Sequence, residues 1–382
     1  MAPTVIPCPY AKKCGGCQLQ NLTYEEQLHK KQADLIRRLG RYGHVEEIIG
    51  MDDPYHYRNK VQAAFRAQSG KVISGVYQSS TRRIVEVDGC LLEDDEAAPI
   101  LRTVRRLCVS FKIKPYDLTT GKGFLRHVLI RRGFATGEIM VVLVTAKGEF
   151  PAARSLVNEL LRRHPGITTV VWNINPTDTP LLLGKQRVVL HGDGHITDVL
   201  CGLRFRISPR SFYQVNPVQT EILYRTVKTF AALTGRERVM DAYCGTGTIG
   251  LTVADAAREV IGVEVNGDAV ADAVVNATLN GVKNIRFFAA DAGEYMKAMA
   301  ASDERVDVVI TDPPRAGCSP AFIRSLLTLA PHRVVYVSCN PETLGRDLYT
   351  LTKGGYRAKG IQPIDLFPWT HHVETVVCLE RK

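Results

Sequence analysis

No stretch of the 382-residue sequence approaches the roughly 18 consecutive apolar residues of a membrane span. The first nine residues, Met1 to Pro9, lack the apolar core that a signal peptide needs. These absences argue against a membrane partner and make the cytoplasm the expected location. No internal repeat or low-complexity tract interrupts the chain. Acids are missing from Gly121 to Gly137, a stretch that carries Lys122, Arg126, His127, Arg131 and Arg132. What is present in excess is positive charge: net +10, with a pI near 9.1. Such a balance fits an anionic partner, nucleic acid or an acidic membrane surface, as well as a generically basic soluble protein. The distribution favours nucleic acid. Arg58, Lys60, Arg66, Lys71, Arg82 and Arg83 interleave with Tyr55, Tyr57, Phe65 and Tyr77, a mixture suited to phosphate contact and base stacking.

Three cysteines cluster early, as Cys8-x5-Cys14-x2-Cys17. A reducing compartment disfavours disulfides, so a metal site is the leading use, with Cys90 in Asp88-Gly89-Cys90 as the fourth ligand. Spacing alone leaves zinc and an iron–sulfur cluster both open. Beyond residue 20 the pattern reads as α+β. It predicts helices over 24–39, 95–109 and 152–163, and strands over 57–67, 71–78, 124–132, 138–145 and 168–173, with short β segments to Ile207. The helix at 24–39 is expected to bury Leu28, Leu35, Ile36 and Leu39. From about Ser208 strands and helices alternate. Strands are expected at 238–241, 260–265, 285–289, 306–311 and 333–337, then a late antiparallel portion at 361–366 and 375–379. This predicts an α/β fold with three segments: a cysteine segment over 1–20, a central α+β RNA-binding domain over 21–207, and a doubly wound Rossmann-like domain over 208–382.

Three motifs fall at the C-terminal ends of those strands, the edge where open α/β sheets bind ligands. Asp241-Ala242-Tyr243-Cys244-Gly245-Thr246-Gly247-Thr248-Ile249-Gly250 runs from strand to helix, and Glu264 closes the next strand, placed to accept from ribose hydroxyls. The pattern Gly245-x-Gly247-x-x-Gly250 also fits a dinucleotide site, so an NAD(P)-dependent oxidoreductase is a competing class. Asp312-Pro313-Pro314-Arg315 makes a rigid corner one strand before Cys339, and such corners are familiar in methyltransferases acting on nucleobases. Cys339 follows a β-branched run and precedes a helix at Pro341, whose partial positive charge favours thiolate.

Together these residues resemble the RNA uracil-5-methyltransferase family, specifically its iron–sulfur branch. The resemblance rests on Cys8, Cys14, Cys17 and Cys90; Leu125-Arg126-His127; Ser211-Phe212-Tyr213-Gln214-Val215-Asn216; Asp241-x-Tyr243-Cys244-Gly245-x-Gly247; Gly262-Val263-Glu264; Asp312-Pro313-Pro314-Arg315; Ser338-Cys339-Asn340-Pro341-x-Thr343-Leu344-x-Arg346-Asp347; and His372-Val373-Glu374-Thr375-Val376. It implies S-adenosylmethionine as methyl donor, Cys339 as nucleophile and Glu374 as base. It further implies Gln214, Tyr243, Gly245, Glu264 and Asp312 around the donor, Asp291 near its adenine, and a [4Fe–4S] cluster on the four cysteines. Attack of the thiolate on carbon 6 would make carbon 5 of uracil nucleophilic, and Val373, Val376 and Val377 are expected to raise the pKa of Glu374 by desolvation. Family members often begin with a small β-barrel (TRAM) RNA-binding domain, which is expected to be missing because the first cysteine is residue 8. The branch implies 23S ribosomal RNA as substrate, with the transfer-RNA T-loop as alternative; a monomer is expected. An inactive RNA-binding module is the non-enzymatic alternative.

Overall fold

Each of two large sheets is laid down by its own stretch of sequence. The computed structural model describes residues 6–78, 81, 83–146, 148–176 and 182–382, so Arg82 of the basic set lies outside the described residues. Two compact units result. The first holds the chain up to Gln20, Pro54–Val199 and Arg206–Arg210; the second holds Asn21–Asp53, Leu200–Phe205 and Ser211–Lys382. The units do not coincide with the segments 21–207 and 208–382, because residues 21–53 cluster with the second unit.

In the first unit the strands are β1 (Lys60–Gln68), β2 (Lys71–Tyr77), β3 (Ile84–Glu86), β4 (Leu125–Arg132), β5 (Ile139–Thr145), β6 (Ile167–Ile174) and β7 (Gln186–His191). They form one sheet in the order β3-β2-β1-β4-β5-β6-β7. Ser69 and Gly70, both at positive φ (50° and 77°), make the two-residue turn from β1 to β2. β5 and β6 are parallel, joined through the helix Ala153–Arg163; the other pairs are antiparallel. That helix and Ala97–Ser110 cover one face, burying Ile100, Val104, Leu107, Leu156 and Leu160 against Val128, Ile130, Val141 and Leu143. The basic and aromatic strand residues do not all face solvent as their sequence mixture suggested. Tyr57, Phe65, Arg126 and Arg131 are buried, because β1 and β4 sit inside the sheet with side chains packed on both faces.

A hairpin of β8 (Ile196–Leu200) and β9 (Leu203–Ile207) follows in the chain. The second unit then supplies β10 (Arg238–Ala242), β11 (Glu259–Glu264), β12 (Ile285–Ala289), β13 (Val308–Thr311), β14 (Arg333–Ser338), β15 (Tyr356–Ile364) and β16 (Glu374–Arg381), in the order β12-β11-β10-β13-β14-β16-β15. β10 to β14 are parallel and β16 inserts antiparallel beside β14. The closing strands begin earlier than the apolar runs suggested. β15 starts at the buried Tyr356, and a register shift between Ala358 and Gly360 hides the alternation.

The helix Tyr24–Leu39 belongs to this unit. Thr23 caps it reciprocally with Glu26. Its inward stripe is Tyr24, Gln27, Lys31, Leu35 and Leu39, spaced three and four apart, whereas Ile36 is half exposed. Lys31, absent from the set expected to be buried, is buried and meets the buried Asp365 at 2.6 Å. Tyr24 donates to the other carboxylate oxygen at 3.0 Å. Among the described residues, no helix is long and apolar enough to cross a membrane.

Candidate active site

The second unit gathers its chemistry where β10, β11, β13 and β14 end. β14 and β16 pair Ser338 with Thr375, so the next opposed residues at the open end are Cys339 and Glu374. On the other side of β14, Thr311 of β13 pairs with Tyr336, and Asp312 follows it directly. Register alone thus brings three of the expected residues to one place. Glu374 is buried. Burial, reinforced by the charge of Asp312, holds its carboxyl well above the usual carboxylate range, and Arg315 opposes the shift. Desolvation pushes Asp312 up to about 7. Cys339 is half-buried. Its thiol is pushed up to about 11 by burial and then by Glu374 and Asp312, so the helix start does not by itself make it a thiolate.

The loop after Asp312 is fastened to the helix Pro341–Lys353. Asn340 Nδ2 and Thr343 Oγ1 donate to the carbonyl of Arg315 at 3.1 and 3.3 Å. Arg346 Nη2 reaches the carbonyls of Ala316 and Cys318 at 2.9 and 3.1 Å. The buried Asp347 accepts from the Cys318 amide at 2.8 Å and the Tyr336 hydroxyl at 2.7 Å. Arg315 itself donates to Nε2 of His372 at 3.0 Å. The motif Asn340-x-x-Thr343-x-x-Arg346-Asp347 therefore acts as a clamp, a role that spacing did not disclose.

The glycine loop is built on β10. Asp241 is fully buried beneath it and accepts from the Gly250 amide at 2.7 Å, while its second oxygen has no partner among the described residues. Burial pushes this carboxyl up to about 8. Glu264, at the end of β11, accepts from the Gly245 amide at 3.2 Å and the Asn266 amide at 2.9 Å. Tyr243 sits at positive φ (62°), half-buried, with its ring 5.2 Å from that of Phe322. A Cβ added at Gly245 would meet nothing within 4 Å, so the loop faces open space there. At Gly262 a Cβ would lie 2.4 Å from Phe287, so that glycine is required by packing. Gln214 is buried on the stretch before the helix Pro217–Ala231, which Asn216 caps. That stretch touches the loop through Thr246 Oγ1 and the Phe212 carbonyl at 3.5 Å. Asp291 is exposed and caps the helix Ala292–Ala301 through the Glu294 amide at 3.0 Å. An open glycine cradle ringed by Asp241, Glu264 and Asp312 fits a ligand carrying positive charge and hydroxyl groups.

The four early cysteines share one region of the first unit. Cys14 and Cys17 each sense Cys8, Cys90 senses Cys17, and Arg58 senses both Cys17 and Cys90. Among the described residues, however, no three His, Cys, Asp or Glu side chains form a group that could hold a metal ion. Four thiols in one neighbourhood have the donor chemistry of either a zinc site or an iron–sulfur cluster. Elsewhere in this unit, Arg66, Tyr77, Arg83, Tyr116, Arg126 and His127 line a cleft of about 620 Å³.

Comparison with known proteins accords with this geometry. The family described as tRNA (uracil-5-)-methyltransferase matches residues 185–382. An uncharacterized RNA methyltransferase of Halalkalibacterium halodurans is 45% identical over 98% of this chain and 83% of its own length. One from Clostridium acetobutylicum is 42% identical over the same shares. Among solved structures, the tRNA (uracil-54, C5)-methyltransferase of Pyrococcus abyssi, in complex with S-adenosyl-L-homocysteine, superposes with a TM-score of 0.80. It is 30% identical and covers 96% of this chain and 86% of that one.

Proposed function

Because the chain belongs to the tRNA (uracil-5-)-methyltransferase family, a family of S-adenosylmethionine-dependent RNA methyltransferases, we propose that it methylates carbon 5 of a uridine through a covalent bond from Cys339. The observation that carries this reading is the β14–β16 register, which sets a cysteine and a buried carboxylate opposite one another at the open sheet end. Gln214, Tyr243, Gly245, Glu264, Asp291 and Asp312 would hold the donor, whose sulfonium supplies an electrophilic methyl. Cys339 Sγ adds to carbon 6 of the ring, and the displaced electron pair makes carbon 5 nucleophilic. Once carbon 5 carries the methyl, Glu374 takes its proton. The carbon 5–carbon 6 double bond re-forms and the sulfur leaves. A carboxyl raised by burial holds a proton taken in this way better than an ordinary one. The target base leaves its stack to reach such a site.

The four-cysteine pattern, similar to that of the iron–sulfur branch, supports 23S ribosomal RNA as substrate. Likeness to the archaeal enzyme supports a second reading, the T-loop of transfer RNA. In this account Cys8, Cys14, Cys17 and Cys90 hold a [4Fe–4S] cluster that braces the basic α+β part, residues 21–207 read it against RNA, residues 208–382 do the chemistry, and the protein acts as a cytoplasmic monomer. Incubation with donor and unmodified transcripts of both RNAs should place 5-methyluridine in 23S RNA; methylation confined to transfer RNA would select the second reading. Glu374→Gln should accumulate a protein–RNA adduct on a denaturing gel, and rapid turnover by this variant would remove Glu374 as the base. Anaerobically purified protein should contain iron and sulfide; a colourless protein with stoichiometric zinc would refute the cluster.

A further inference from the structure

The loop that follows Asp312 carries a charged group for which the reaction above has no use. Arg315 is exposed and forms no ion pair among the described residues. Its backbone carbonyl is nonetheless held by Asn340 and Thr343, immediately after Cys339, at 3.1 and 3.3 Å. Its guanidinium is held by His372, two residues before Glu374, at 3.0 Å. His372 is itself placed by the hydrogen bond its backbone amide donates to Thr370 Oγ1 at 3.2 Å and by edge-on contact with Phe367 at 6.0 Å between centroids. The backbone around Arg315 has little room to move. Gly317 adopts φ of 74°, and a Cβ there would lie 2.7 Å from both Arg346 Nη2 and Asp347 Oδ2. One residue therefore links the segment bearing the thiol to the segment bearing the carboxylate.

We propose that Arg315 is a positioning residue that spans Cys339 and Glu374 and keeps the sulfur reactive between two acids. This rests on the roles given above to Cys339 and Glu374. The charges of Glu374, Asp312 and Arg315 all act on Cys339, and those of Asp312 and Arg315 act on Glu374. Arg315 is thus a cation acting on both, against two carboxyls that disfavour thiolate. A guanidinium stays charged across the working pH range. An acceptor as weakly charged as neutral imidazole leaves that charge unneutralised, whereas a carboxylate partner would cancel it.

The test is alkylation of Cys339 by iodoacetamide across pH, in protein without RNA or donor, followed by peptide mass mapping and paired with thermal melts. Arg315→Ala should move the alkylation midpoint of Cys339 up by about one pH unit, a tenfold loss of thiolate at neutral pH. Arg315→Lys should recover most of that shift, because charge rather than shape is the requirement. An unchanged midpoint in Arg315→Ala overturns the proposal. Equal shifts in the Ala and Lys variants also overturn it, since they mark loss of packing. Methylation of RNA by Cys339→Ala at the native rate would remove the underlying reading instead, and leaves the alkylation result for Arg315 interpretable by itself.

Discussion

The two units bury charge of opposite sign. In the first, Arg126 and Arg131 are inside the fold, and burial pushes Arg131 down to about 10. Lys60, desolvated and close to Arg131, falls to about 8, and His127, desolvated beside Arg126, to about 4. In the second, burial pushes Asp241 and Asp312 up to about 8 and about 7, and raises Glu374. The carboxyls of the second unit are held where their own charge is costly, which points to a partner of the other sign, a cation, whereas in the first unit Arg126 is already held by the Asn175 carbonyl at 2.7 Å. A sulfonium donor has that sign. The second unit also contains its own control. Asp365 is equally buried but has Lys31 at 2.6 Å, so it needs no ligand.

The largest expected effect separates chemistry from binding. Cys339→Ala should lose at least about a thousandfold in methylation, as removal of a covalent nucleophile does. Calorimetry should still detect S-adenosylhomocysteine, and lost cofactor binding would mean that Cys339 supports the fold. Next comes the internal control. Lys31→Met leaves the Asp365 carboxylate buried without its cation and should cost about 3–5 kcal/mol in chemical denaturation, the usual penalty for breaking a buried pair. A neutral result would show that Asp365 is protonated in the native state.

A third prediction concerns pH. Asp241 binds its proton more tightly folded than unfolded, so its stabilising contribution is complete below about pH 4 and is lost as pH rises through about 8. Melting of the protein without ligands should therefore weaken from pH 5 to pH 9. Asp241→Asn, whose side-chain oxygen can still accept from Gly250, should recover about 2–3 kcal/mol at pH 9. A variant no more stable than the parent at pH 9 would break the contrast. The smallest effect belongs to the first unit's surface. Arg66→Ala and Arg83→Ala, both on the 620 Å³ cleft, should each weaken RNA binding about two- to fivefold and lower its salt dependence, while cofactor affinity stays unchanged. Equal losses for both ligands would refute the division of labour.

Much of this organisation was legible before any coordinates. The strands of the second unit announce themselves because parallel strands buried on both faces read as short apolar runs, such as Val334 to Val337. Harder to read were features that depend on tertiary neighbours. Lys31 was absent from the helix's expected buried set, because its partner is 334 residues away. Its place in the stripe 24-27-31-35-39 was the available signal. Arg126 and Arg131 looked like an RNA-facing surface, because a strand's alternation does not say which face a second layer will cover. Cys339 shows the limit from the other side. Its position beside a helix start was clear from sequence, but the burial that raises its thiol most, and then the carboxyls of Glu374 and Asp312, come from tertiary packing.

The central claim is that the sulfur of Cys339 bonds to a pyrimidine ring during turnover. RNA carrying 5-fluorouridine in place of uridine has no proton at carbon 5 for a base to remove, so catalysis should halt at the covalent stage. After incubation with that RNA and S-adenosylmethionine, followed by nuclease and protease digestion, mass spectrometry should find a methylated fluorouridine on the peptide containing Cys339. Active protein that leaves this peptide unmodified, or carries the adduct on another residue, would contradict the account.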